Sequence, residues 1–134
     1  MGLVLDSSVL VYAERQGMLV SVLLEQLQQQ HGVTEIVLSA ISSVELEHGI
    51  YRAQSPQQAA KRIRFLDTVF AAIPSEPFTR EIGHIVAKVD AEARFGIPFA
   101  DLLIGGTALH FGHGLGTRDE RHFRMIPKLD VHSS

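Results

Sequence analysis

Gly2–Leu10 reads GLVLDSSVL: the apolar run Leu3–Leu5 passes straight into an aspartate and two serines. A short run of this kind forms a strand buried on both faces, as parallel strands are, and Val9–Arg15 behind it has helical character. The chain therefore opens as strand, turn and helix, with Asp6 at the junction. A carboxylate there needs a reason, because an unpartnered buried charge costs several kcal/mol or takes up a proton.

The same alternation continues outward. Met18–Gln30 places Val20, Leu23, Leu24 and Leu27 at helical spacing, and Gly32 stands where a helix would stop. Glu35–Leu38 (EIVL) predicts a second strand, and Ser39–Ser43 leads into the helical pattern VELEHGIYRA. Gln57–Phe70 and Phe78–Phe95 both step their apolar residues by three and four, with AAIPSEP between them as a short strand and turn. Asp101–Phe111 predicts another helix, Gly112–Gly116 a turn feeding a strand near Leu115–Thr117, and the late LDV an edge strand. Strands alternating with helices predict an α/β fold, a parallel central sheet flanked by helices with right-handed crossovers. We expect a single domain over residues 1–134. Ligands of such sheets bind beyond the carboxyl ends of the strands, where strand order reverses, so residues just after strands matter most.

Composition narrows the chemistry. A chain of 134 residues that is 46% hydrophobic has ample material for one core. It contains no cysteine, which excludes disulfides, thiolate zinc sites and cysteine nucleophiles and predicts a cytoplasmic setting. No leader pattern and no continuous apolar span is present, so no membrane association is expected. A net charge of −3 argues against a general nucleic-acid coat but not against a nuclease. Cations gather locally, in KRIR at Lys61–Arg64 and at Arg118, Arg121 and Arg124, which recur at every third residue and would drift around one side of a helix as a phosphate-contacting patch.

Four acids share one structural station. Asp6 follows the first strand, Glu45 sits near the start of the helix after the second, Asp101 opens DLLIGGTAL, and Asp119 follows the third strand in LGTRDERHF. Helix capping explains each alone: Asp6, Asp101 and Asp119 can cap the helices they precede, and Ser42 with Glu45 fits the S-x-x-E box. Together, in apolar surroundings and with no lysine or arginine near Asp6 or Asp101 in sequence, they point to a hard divalent cation, Mg²⁺ or Mn²⁺. Such a pocket suits phosphodiester hydrolysis. Zinc held by His110, His113 and His122 is disfavoured, since the first two flank glycines at a helix end.

With these acids in place the sequence resembles the PIN-domain nucleases, and among them the VapC-type toxins of toxin–antitoxin pairs. The resemblance lies in VLDSSVLVY, LSAISSVELEHGI, IPFADLLIGGTAL and LGTRDERHFRMIPKL, in that order, and covers nearly the whole chain. It implies a metal-dependent endoribonuclease that cuts a structured RNA such as tRNA or rRNA. Asp6, Glu45, Asp101 and Asp119 would be the catalytic, metal-binding acids, with Ser8 and Thr117 donating hydrogen bonds behind them. It also implies a cognate antitoxin that threads the acidic crevice, and a homodimer. Met18–Gln30 and Gln57–Phe70 are candidate contact faces. Two departures stand out: Gly105 and Gly106 replace small alanines, and Gly116 replaces an apolar strand residue. The competing expectation is a catalytically silent PIN-like module that binds RNA or a protein.

Overall fold

Leu3, Val4 and Leu5 of β1 (Gly2–Leu5) are fully buried and part to opposite sides. Leu3 and Leu5 enter one core and Val4 the other, as the two-residue period of a strand requires. The computed structural model describes residues 1–94 and 96–134. It forms a five-stranded, wholly parallel sheet in the order β3-β2-β1-β4-β5, with β2 at Glu35–Ser39, β3 at Ser75–Glu76, β4 at Gly114–Thr117 and β5 at Val131–Ser133. β2 repeats the division: Ile36 and Leu38 join Leu3 and Leu5, while Val37 joins Val4.

Helices cover both faces. The Leu3 side is closed by α1 (Ser7–Arg15), α2 (Val20–His31), Leu46 of α3 (Ala40–Tyr51) and α4 (Pro56–Ala72). The Val4 side is closed by α5 (Arg80–Glu92) and α6 (Phe99–Phe111), helped by Phe123 and Ile126. Local chemistry sets the boundaries. The Ser55 side chain accepts the Gln58 N–H with Pro56 at the first helical position, and Thr79 accepts the Ile82 N–H. Gly32 closes α2 in the left-handed conformation at φ 63°.

The structure departs from the sequence expectation at several points. Ser39 caps α3 by accepting the Ile41 and Ser42 N–H groups, so that helix starts at Ala40 and Glu45 lies in its second turn rather than its first. The expected Ser42–Glu45 capping box is therefore absent. Ser42 is instead fully buried, and its hydroxyl donates to the Leu5 carbonyl at 3.2 Å, tying α3 to the end of β1. Arg118, Arg121 and Arg124 do not share a helix face, because only a 3₁₀ turn at Phe123–Met125 forms there. Leu23 and Leu27 of α2 and Leu66 and Val69 of α4 are sunk in the core, which removes them from the expected contact faces. The last residue of the expected Phe78–Phe95 helix lies outside the described residues, and α5 ends at Glu92. Among the described residues no helix is long and apolar enough to cross a membrane.

The departing glycines have steric causes. A Cβ on Gly116 would stand 3.0 Å from the Leu3 and Leu5 side chains, and one on Gly106 would stand 2.5 Å from Val86 Cγ2. Gly106 thus lets α6 lie close against α5. In Gly106→Ala, overpacking of about 1–3 kcal/mol should outweigh a helix-propensity gain of about 1 kcal/mol. Gly83→Ala, whose new Cβ would meet only Phe78 at 3.7 Å, should instead stabilise. Denaturant unfolding of the two variants is expected to give shifts of opposite sign.

Candidate functional site

The chain lays down β1, β2 and β3 in one direction, then returns to place β4 on the far side of β1. Strand order therefore reverses between β1 and β4, and the crossovers part there to open a crevice at the carboxyl end of the sheet. The Asp6 N–H donates to the Gly116 carbonyl across this junction at 2.9 Å.

Asp6 is 7% exposed and occupies the N-cap position of α1, yet its side chain makes no capping bond. Its Oδ2 accepts the Ser8 hydroxyl at 2.7 Å and the Thr117 hydroxyl at 2.9 Å. Each hydroxyl has one hydrogen, so the 3.3 Å contact between Ser8 and Thr117 carries none. Their lone pairs accept in turn: Ser8 takes the Arg118 N–H at 3.1 Å, and Thr117 takes the Asp119 N–H at 2.9 Å. The turn after β4 is thereby fastened to Asp6 by two short relays, both ending on Oδ2. Among the described residues Oδ1 receives no donor.

The other acids arrive from separate elements. Glu45 Oε1 accepts the Ser7 hydroxyl at 3.0 Å. Asp101, in the first turn of α6 behind Pro98, makes no capping bond and lies 3.4 Å from His122 Nδ1. Asp119 is exposed and does not cap the 3₁₀ turn, whose cap position belongs to His122. The capping bonds that would have accounted for the acids are thus not made.

Their fields overlap instead. Burial pushes the Asp101 carboxyl above its usual range, Asp6 and Asp119 repel it further, and His122 opposes the rise. Burial likewise raises Glu45, against the Ser7 bond, with repulsion from Asp6 and Asp101 added. Among the described residues no lysine or arginine forms an ion pair with any of the four acids. An all-oxygen set of carboxylates without a lysine or arginine partner suits a hard divalent cation. Among the described residues no three acidic or histidine side chains are close enough to grip one ion together. Direct contact through one or two carboxylates, with the rest acting through water, is the mode this spacing permits.

The remaining candidates scatter. His113 lies 3.8 Å from Glu35, His110 packs edge-on to Phe111 and His122 faces Asp101, so the zinc grouping does not form. The Arg118 guanidinium stacks 3.5 Å above the Tyr12 ring and donates to the Ser134 carbonyl. Arg124 pairs with Glu120, and Arg121 meets the His122 ring. Sequence reasoning missed Ser7, although it adjoins Asp6, because its partner Glu45 is 38 positions away. It also missed His122 as the neighbour of Asp101.

A carboxyl whose pKa is raised on folding binds its proton more tightly in the folded state, so stability falls as pH rises from its ordinary value through the raised one. The ordinary values here are 3.8 for Asp101 and 4.5 for Glu45. Asp101→Asn and Glu45→Gln should therefore melt higher than the parent in EDTA at neutral pH, with the gain vanishing in acid. Thermal melts across that range check it, and an equal effect at every pH would contradict the repulsion.

Comparison with known proteins agrees with this geometry. Residues 3–129 match the PIN domain family. Ribonuclease VapC of Rickettsia bellii (strain RML369-C) is 28% identical, the alignment covering 98% of this chain and 95% of the relative. The fold is that of VapBC2 from Rickettsia felis, solved bound to a DNA fragment from its promoter, with a TM-score of 0.83, 21% identity and coverage of 100% and 99%. VapBC-1 from nontypeable Haemophilus influenzae gives a TM-score of 0.78 at 21% identity, covering 99% and 98%. The acids stand at the strand-order reversal of a sheet that these structures share and within the residues matched, and the chain belongs to the PIN-domain family.

Proposed function

We propose that this chain is a metal-dependent endoribonuclease of the VapC type, the toxin of a toxin–antitoxin pair that cuts a structured RNA such as tRNA or rRNA. The observation that carries the reading is the placing of Asp6 at the start of α1, Glu45 on α3, Asp101 on α6 and Asp119 after β4 around the strand-order reversal, with no lysine or arginine paired to them among the described residues. RNA as the substrate rests on the relative called Ribonuclease VapC, matched over 95% of its length.

Asp6 and Asp101 are the residues that would hold Mg²⁺ or Mn²⁺ directly, with Glu45 and Asp119 contributing through water. The cation supplies neutralisation of phosphate charge and a more acidic water. The chain's own residues do the positioning. Ser8 and Thr117 fix Oδ2 of Asp6 and leave the remaining oxygen without a donor among the described residues. The Thr117 relay sets Asp119 beside it, and Ser7 holds Glu45 against repulsion from its neighbours. Arg118, which adjoins Asp119 in the chain and lies flat on Tyr12, is with Arg121 and Arg124 the set that would meet RNA phosphates.

An antitoxin partner and a homodimer complete the proposal. Tyr51, Leu19, Phe99 and Val44 are 84%, 69%, 68% and 64% exposed, which is apolar surface that a second chain would cover. Titrating the pure protein with a synthetic antitoxin segment bearing a basic side chain should abolish cleavage. Light scattering at micromolar concentration should give a dimer mass.

The deciding assay incubates the protein with total tRNA and rRNA in Mg²⁺ or Mn²⁺. EDTA and Asp101→Asn should each abolish cleavage. Thr117→Val, folded by circular dichroism, should lose about 10–100-fold through mispositioning of Asp6. Mn²⁺ affinity should fall in Asp6→Asn. Persistence of cleavage in EDTA would rule out the metal-dependent reading, and a chain that neither cleaves nor binds metal would be a silent PIN-like module.

A further inference from the structure

A cleft of about 730 Å³ runs between α1, α3 and α4, and Glu45 stands in its lining. We propose that this cleft is a track for a single RNA strand, its phosphates held by Arg15, Arg52 and Lys61, with the strand passing Glu45 into the acidic crevice. The inference rests on the ribonuclease reading above.

The argument begins with repulsion. Bare carboxylates repel a polyanion, and the chain as a whole carries a charge of −3, so affinity for RNA must come from a local concentration of cations. The arginines beside the crevice are engaged: Arg118 on Tyr12 and Ser134, Arg124 on Glu120, and Arg121 on His122. The cleft differs. Arg15, Arg52 and Lys61 line it, are exposed and form no ion pair among the described residues.

The fourth cation has another task. Arg62 donates to the Gly49 carbonyl and lies 3.7 Å from Glu14, so it ties α4 to α3 and α1 and cancels the charge of Glu14. That leaves three unpaired cations against Glu45 alone, in a cleft whose floor includes Val11, Leu46 and Leu66. A positive rim over an apolar floor matches a single strand, which offers phosphates on one side and base faces on the other. The position of Glu45 in the second turn of α3 puts the cleft and the crevice in one path.

The test measures binding separately from cleavage. Fluorescence anisotropy of a labelled, mixed-sequence single-stranded RNA is followed in EDTA, with every protein carrying Asp101→Asn. The cleft variant adds Arg52→Glu and Lys61→Glu. The control adds Arg80→Glu and Lys88→Glu on α5, the same change in net charge on the opposite face of the sheet, and melting curves confirm that both fold. The cleft variant should weaken binding about tenfold or more and flatten the slope of log K against log salt by about 1.4, two single-strand phosphate contacts, while the control stays near the parent. Equal weakening in both variants, or in neither, overturns the proposal. Loss of polyglutamate binding in the cleft variant with RNA binding intact would assign the cleft to an acidic protein segment and also overturn it. Cleft-dependent binding, together with an unsubstituted chain that never cleaves RNA in Mg²⁺ or Mn²⁺, keeps the track and sinks the ribonuclease reading, whereas cleavage by the unsubstituted chain without cleft-dependent binding does the reverse.

Discussion

A strand with no solvent face can meet polar chemistry only at its ends, and β1 is such a strand. Its three apolar side chains divide between two cores, so the first position open to a polar side chain after Leu5 is Asp6. The neighbours of β1 are β2 and β4, whose own carboxyl ends deliver Ser39 and Thr117 to the same edge of the sheet. Burial, parallel pairing and the reversal of strand order therefore converge on one small volume. Polar groups gather there because the rest of the strand has no place for them.

The carboxylates in that volume work against the fold that holds them. Two, Glu45 and Asp101, are pushed toward neutrality by burial and by neighbouring carboxylates, Asp6 acting on both, and hydroxyls, not cations, do most of the holding. Hydroxyl donors orient an acid without cancelling its charge. The result is a fixed concentration of negative charge, maintained by backbone amides that reach it through Ser8 and Thr117. The cleft along α3 and α4 has the complementary sign, and Glu45 stands where the two fields meet.

Much of this was legible in the sequence. The runs Leu3–Leu5 and Glu35–Leu38 stated buried parallel strands, and the positions of Asp6, Glu45 and Asp119 after strands and of Asp101 at a helix start located the crevice, because period and element ends are local properties. Ser8 and Thr117 were legible as hydroxyls near an acid. What stayed hidden depends on pairs distant in the chain: Ser7 with Glu45, Ser42 with the Leu5 carbonyl and Asp101 with His122. The start of α3 was misjudged because Ser39 and Ser42 are both acceptable caps and only the Leu5 carbonyl decides between them. The arginine triplet suggested a helix by spacing alone, whereas Arg118 follows a strand and its side chain is claimed by Tyr12. Glycines 105, 106 and 116 looked like weaknesses until the side chains crowding each position were known.

The bond from Thr117 to Asp6 joins residues 111 positions apart. Synthesis delivers the amino-terminal end of a chain first, and non-local pairings form late because the closure entropy of a long loop must be met before they yield any stabilisation. The early strands and their helices can gather on the ribosome while Asp6 still lacks its hydroxyl partner from β4. The acidic crevice is thus completed only when β4, the fourth strand in chain order, has emerged. A chain synthesised only as far as α6 exposes the first acid without the last, so whatever activity the crevice has is withheld until β4 has emerged and paired with β1.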